Sequence, residues 1–399
     1  MDILRKLFEM TAFGEIFHSP GTILMIGIGL VLIFLGIVKK YEPLLLIPIG
    51  FGLVLANALK GGMGIVPSND EIMHMSLLEI AEDYGIMNFL YYSLIKTGLL
   101  PPIIFMGVGA LTDFGPMLRN LRLAFFGAAA QLGIFTVLIS AVAVGFTLQE
   151  AGALGIIGGA DGPTAIYTTI ILAPHLLGPI AIAAYSYMAL VPVIIPLVVR
   201  FTTTKKELLI NMKKQEQLYP SKRPVKNLKM AKILFPLVAG GITALLVPTS
   251  VPLIGFLMFG NLLKEIGVTT ERLSKAAAGS IMNTATIFLG LTVGATMTAE
   301  TFLNTKTIMI IVGGFFAFCV SVAGGIFAVK IYNTMSKKKI NPLVGATGLS
   351  AVPMAARVAN EIGLKHDPHN HLLQYAMASN ISGVIGSAVA AGVLISFLG

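Results

Sequence analysis

Ten long apolar runs constrain this chain more than any other feature. They lie at 21–38, 43–58, 88–112, 120–146, 178–200, 233–248, 251–263, 276–297, 307–332 and 372–398. A helix rises about 1.5 Å per residue and a bilayer core is about 30 Å thick, so each run crosses a membrane or nearly does. Backbone in lipid must satisfy its own hydrogen bonds, which predicts helices and an all-α polytopic membrane protein. Only 12% of the 399 residues are charged, about half the share of an average soluble domain. The first run ends in Lys39 and Lys40 and reads as a retained span, not a cleaved leader. The single cysteine, Cys319, excludes an intrachain disulfide framework and a Cys-based zinc site. It reads as a small core residue.

The net charge of +9 is concentrated between 204 and 232, from Lys205 to Lys232. A basic block between spans reads as a cytoplasmic loop and not as a nucleic-acid site. The runs on either side of it match in order. "PIGFGLVLANALK" at 48–60 pairs with "PLIGFLMFGNLLK" at 252–264, "IFMGVGALTDF" at 104–114 with "IFLGLTVGATM" at 287–297, and "GADGPTAI" at 159–166 with "GATGLSAV" at 345–352. The turn after 112 carries Arg119 and Arg122 while that near 147–151 carries Glu150; in the second copy the basic turn is 336–339 and the acidic one 298–306. The positive-inside rule then puts corresponding turns on opposite sides. The expected architecture is two inverted-topology repeats, 1–200 and 233–399, joined by a basic cytoplasmic linker at 201–232. Each repeat has about five spans and one re-entrant broken helix, at 152–172 and 341–363.

Breaks at matching places of two inverted halves point to a transporter's binding site. Unwound backbone inside a membrane is tolerated where it lines a cavity or binds something. The first break holds Asp161, Gly162, Pro163 and Thr164; Pro163 lacks the N–H a helix needs. A carboxylate there costs about 2.5–3.5 kcal/mol, which makes it a functional candidate. Asp161 and Thr164 offer oxygens suited to a hard cation such as Na+; the plainer reading is a helix N-cap. The second break supplies Asn341, Gly345, Thr347, Ser350 and Arg357, with Ser350 aligned to Thr164 and Thr347 to Asp161. Arg357 is expected as a buried guanidinium for an anionic substrate, or else as the partner of Glu361 at i+4. Tyr185 and Tyr187 follow the first break, and Tyr187 is taken as the hydroxyl that coordinates or donates a proton. Asn380 and Ser382 hold the related place in the second copy.

Other clusters read as ordinary surface. His366, His369 and His371 lack tetrahedral metal spacing and suit a solvated turn; no metal other than Na+ is expected. Asp70, Glu71, Glu79, Glu82 and Asp83 make the extra loop of the first copy an acidic external segment. No phosphate-loop or dinucleotide pattern is present, so no nucleotide is expected.

"EPLLLIPIGFGLVLAN", "GVGALTDFGP", "IGGADGPTAIY", "AAYSYMALVP", "GNLLKE" and "NPLVGATGLSAVPMAARVANE" resemble, in order, the β subunit of the sodium-pumping biotin-dependent decarboxylases. These act on oxaloacetate, methylmalonyl-CoA or glutaconyl-CoA. The resemblance implies a multi-pass protein of the bacterial inner membrane. Its implied activity is to decarboxylate carboxybiotin delivered by a partner, coupled to Na+ export and proton consumption. It implies a biotin carrier and carboxyltransferase subunit, a small membrane-anchoring subunit and a homo-oligomer. It also implies site roles: Asp161, Thr164, Tyr187, Asn341, Gly345, Ser350 and Asn380 for Na+, Arg357 for carboxybiotin, and Asp161, Tyr187 and Arg357 in catalysis. The residues alone leave open a Na+/H+ antiporter or a Na+-coupled carboxylate carrier, which would need the same acid, breaks and arginine. A purely structural anchor for soluble subunits leaves Asp161 and Arg357 unexplained.

Overall fold

The computed structural model describes residues 10–11, 19–58, 61–67, 70–220 and 227–399. Lys222, Arg223 and Lys226 of the basic linker lie outside them. Among the described residues there is no strand. The main helices are α1 (Pro20–Val38), α2 (Pro43–Ala56), α3 (Leu77–Ile95), α4 (Leu100–Leu111), α5 (Leu121–Ala143), α6 (Leu148–Gly155), α7 (Gly162–Leu172), α8 (Leu177–Ala189), α9 (Val191–Thr202), α10 (Leu228–Leu246), α11 (Val251–Ile266), α12 (Val268–Ala295), α13 (Thr305–Met335), α14 (Met354–His366) and α15 (Leu373–Leu398).

All ten apolar runs are helical, but they do not cross alike. Among the described residues, six helices (α1, α5, α10, α12, α13 and α15) are long and apolar enough to span. The 88–112 run is not straight: α3 and α4 meet at 63°, because Gly98 at φ 70° sits between them just ahead of Pro101 and Pro102. The 178–200 run bends at Leu190, between α8 and α9. The α2 and α11 helices, with 14 and 16 residues, reach only about 21 and 24 Å, short of a bilayer core. Of the ten runs, each expected to cross or nearly to cross, six are single helices long enough to span, two are bent pairs and two are the short α2 and α11.

The two short helices are seated by reciprocal packing. Helix α2 lies on α12 and α11 lies on α4. In both pairs a Cβ on a facing glycine would collide with backbone: Gly52 with the Leu291 carbonyl, Gly109 with that of Leu257. Each short helix carries an asparagine that reaches its neighbour, Asn57 at the end of α2 and Asn261 inside α11. Asn57 Nδ2 donates to Met297 O at 2.7 Å and Asn261 Nδ2 to Thr112 O at 2.7 Å. Both asparagines are buried, so these bonds satisfy groups that would otherwise be costly to bury.

Polar groups gather at the two ends of α5 and α13. One end brings together Arg119, Arg122, Glu216 and Lys338. At the other, Glu150 caps α6 through a Thr147 capping box and takes hydrogen bonds from Lys306 at 2.7 Å and His175 at 2.9 Å. Burial of Glu150 favours its neutral form, but the bonds from Lys306, His175 and the Thr147 backbone outweigh this and hold it down at about 2.

Candidate functional site

Both breaks are real interruptions, and they meet. After α6 the chain tightens into a 3-10 turn at Ile156–Gly159, Ala160 takes the left-handed conformation at φ 56°, and Asp161 is extended. Pro163, near the start of α7, cannot continue the preceding helix. In the second half the helix starting at Pro342 stops at Gly345, and irregular chain runs to Pro353 before α14. Ser350 N donates to Gly159 O at 3.0 Å, joining the breaks backbone to backbone.

Asp161 is buried at 5% exposure and does two jobs. Its Oδ1 accepts from Thr164 N at 3.2 Å, so it is an N-cap of α7. Its Oδ2 accepts from Ser387 Oγ of α15 at 2.7 Å, and Ser387 Oγ lies 2.8 Å from Ser350 Oγ. The carboxylate is thereby linked through two hydroxyls to the opposite half. Around it are buried oxygens with no hydrogen-bond partner: Thr164 Oγ1, Asn380 Oδ1, Gln131 Oε1 and Tyr185 Oη. The amides are already aimed. Asn380 Nδ2 donates to Leu349 O, and Gln131 Nε2 to Gly127 O at 3.1 Å and Gly348 O at 3.3 Å. Their free ends are therefore acceptors. Buried acceptors without partners are costly, and a carboxylate with amide and hydroxyl oxygens is the donor set of a hard cation. Among the described residues no group of three or more His, Cys, Asp or Glu could hold another metal.

The remaining expected residues sit elsewhere. Asn341 bridges outward: its Nδ2 donates to Leu208 O at 2.9 Å and Ile210 O at 3.0 Å, and its Oδ1 accepts from Leu343 N. Gly345 packs against Gly325 of α13, where a Cβ on either would overlap the other's carbonyl. Thr347 Oγ1 donates to Val344 O and Ala376 O. Tyr187 donates its hydroxyl to Ile311 O of α13. Tyr185, two residues earlier and so about 200° round the helix, is the tyrosine beside the break; a Cβ on Gly162 would overlap its ring. Arg357 is exposed, not buried as expected, because its position on α14 turns away from the packed face of Ala355, Ala356, Val358 and Ala359. Among the described residues it has no ion-pair partner, Glu361 included.

Ser387 and Gln131 escaped the sequence reading. Gln131 could have been found as the lone amide inside the 120–146 run, past Asn120 at its edge. Ser387 stands seven residues after Asn380, two turns along one face, but serines are too common in such helices to single it out.

The fold and site define a multi-pass helical membrane protein with a buried, oxygen-lined acid between two interrupted helices. Residues 21–398 match the family described as the Na+-transporting oxaloacetate decarboxylase beta subunit, and the chain belongs to that family. It is 46% identical to the probable oxaloacetate decarboxylase beta chain of Vibrio cholerae (99% of this chain, 100% of that one). It is 47% identical to the methylmalonyl-CoA decarboxylase subunit beta of Propionigenium modestum (98% and 100%) and 44% identical to the oxaloacetate decarboxylase beta chain of Klebsiella pneumoniae (100% and 99%). The resemblance carried by the motifs is thereby established.

Proposed function

We propose that this chain is the membrane subunit that decarboxylates carboxybiotin on a partner carrier and couples that step to Na+ export with proton consumption. The observation that carries the reading is Asp161, buried where the breaks meet and tied through Ser387 to Ser350. Relatives named for oxaloacetate and for methylmalonyl-CoA support a sodium-linked decarboxylase over an antiporter. They also support leaving the acyl substrate to another chain.

Na+ is the cargo. Asp161 supplies the negative charge, and Thr164 Oγ1, Asn380 Oδ1 and Ser350 Oγ supply neutral oxygens. A bare carboxylate at this depth costs a few kcal/mol, so Asp161 is best held neutral, by Na+ or by a proton. Exchange of one for the other is the coupling. Arg357, exposed one turn into α14 and without an acidic partner, receives the substrate carboxylate from the cytoplasm. When the N–carboxyl bond breaks, CO2 leaves and a proton is taken up at the ureido nitrogen. Tyr187, its hydroxyl on the backbone of α13, is assigned to the proton path. Asn341 and Gly345 hold the second break in place for Ser350. The reciprocal seating of α2 on α12 and α11 on α4 supports the inverted repeats 1–200 and 233–399, whose rocking exposes the site to the outside. The bacterial inner membrane, a carrier and carboxyltransferase subunit, a small anchoring subunit and self-association belong to the same reading.

The test is the purified membrane complex. Avidin should retain the chain together with a biotinylated partner, and CO2 release from carboxybiotin should require Na+. A chain that exchanges Na+ for protons with no CO2 release would contradict the reading.

A further inference from the structure

A cavity of about 630 Å³ opens at the end of the molecule marked by Arg119, Arg122 and Lys338. It forms where the start of α5, the end of α13, the 212–220 segment and Tyr375 of α15 converge, and Tyr219 and Tyr332 complete its wall. Among the described residues its one acid is Glu216, engaged by the Tyr375 hydroxyl at 2.6 Å. Lys338 Nζ donates to Tyr219 O at 2.9 Å. Arg119 and Arg122 are exposed, and neither has an ion-pair partner among the described residues. The lining is therefore cationic by two charges.

Below this mouth the surface turns apolar. Helix α5 continues outward with Leu121 at 60% and Phe125 at 74% exposure, and α13 presents Ile331 and Phe327. The two helices are in contact, with the Phe126 and Tyr332 rings 5.8 Å apart. A small soluble anion would use the arginines alone. A molecule with an anionic head and apolar chains would use the arginines, the tyrosines at interface level and the lipid-facing stripe together.

We propose that this cavity binds the headgroup of an anionic phospholipid, its phosphate held by Arg119 and Arg122 and its acyl chains lying along Leu121 and Phe125. Guanidinium groups match phosphate oxygens in a fork, and basic pockets between membrane helices take such headgroups. The lipid would fasten the first half's basic turn to the linker and to α13. The ion site plays no part in this inference.

Native mass spectrometry of the full chain, with cardiolipin or phosphatidylglycerol added against phosphatidylcholine, tests it. The anionic lipids should be retained preferentially. R119Q/R122Q should weaken retention about 30-fold, at roughly a factor of five per lost charge. R119K/R122K should recover most of the loss and confirm that the fold is intact, and Arg272→Gln, an exposed arginine elsewhere, should change nothing. Equal retention by wild type and R119Q/R122Q would overturn the proposal. So would displacement of the lipid by equimolar glycerol phosphate, which would mark a soluble-anion site, or by a biotinylated peptide, which would mark a port for the carrier.

Discussion

The two breaks are built from similar sequence and are held in opposite ways. The first, around Asp161, carries the charge and is anchored at its far end by Glu150, which joins Lys306 and His175. The second, the irregular stretch from Ala346 to Pro353 around Ser350, carries no charge. It is anchored at its near end by Asn341, which clamps it to residues 208 and 210. On the proposed mechanism, one break brings the ligand that changes protonation state; the other brings neutral oxygens and the fastening that sets their distance. A pump needs this division, since a charge on both sides would trap the ion and a charge on neither would not select it.

The most severe way to break the comparison is to take the charge from the first break. Asp161→Asn should reduce Na+-dependent CO2 release to background, whereas no single neutral substitution in the second break should. Assay of CO2 release against Na+ concentration checks both.

The hydroxyl chain between the breaks comes next. Ser387→Ala removes a hydrogen bond to a charged group, about 1.5–3 kcal/mol, and should raise the Na+ concentration for half-maximal rate roughly 10- to 100-fold. Ser350 reaches Asp161 through Ser387, so Ser350→Ala on top of Ser387→Ala should cost less than the sum of the single changes. A double-mutant cycle on that half-saturation value reads the shortfall.

The anchors should differ more gently. Asn341→Ala leaves the Leu208 carbonyl and the Leu343 N–H without their partner, while Ile210 O keeps Asn370 Nδ2, and should lower stability by about 2–4 kcal/mol, read as a drop in the thermal midpoint in detergent. Glu150→Gln should cost about 1–3 kcal/mol at pH 7, less than the full shift implies because Lys306 and His175 are solvent-exposed. Because the Glu150 carboxyl is held at about 2, its stabilisation is complete above its ordinary value near 4.5 and fades as pH falls toward 2. The gap between wild type and Glu150→Gln should close over that window.

The sequence made the breaks legible because glycine and proline interrupt helices whatever surrounds them, and Asp161 was legible because an acid in an apolar stretch has few innocent explanations. What it could not reveal depends on helix rotation. Tyr185 and Tyr187 differ by two residues and face opposite ways, and only the packing of α8 on α13 decides which meets the break. Arg357 is expected inside because it stands seven residues, two helical turns, after Ser350, yet the chain from Ala346 to Pro353 is not helical, so that register does not hold and Arg357 faces out. Gln131 and Ser387 join the site across halves of the chain that no local pattern connects. The short α2 and α11 read as near-spans because apolar length alone does not show that each is seated on a longer neighbour, α2 on α12 and α11 on α4.

The most direct test is equilibrium binding of radioactive Na+ to the purified chain, wild type against Asp161→Asn, with thermal unfolding showing that both are folded. Saturable binding by the wild type that vanishes in Asp161→Asn is the predicted result. Equal binding by both proteins would mean that the acid between the breaks does not hold the ion.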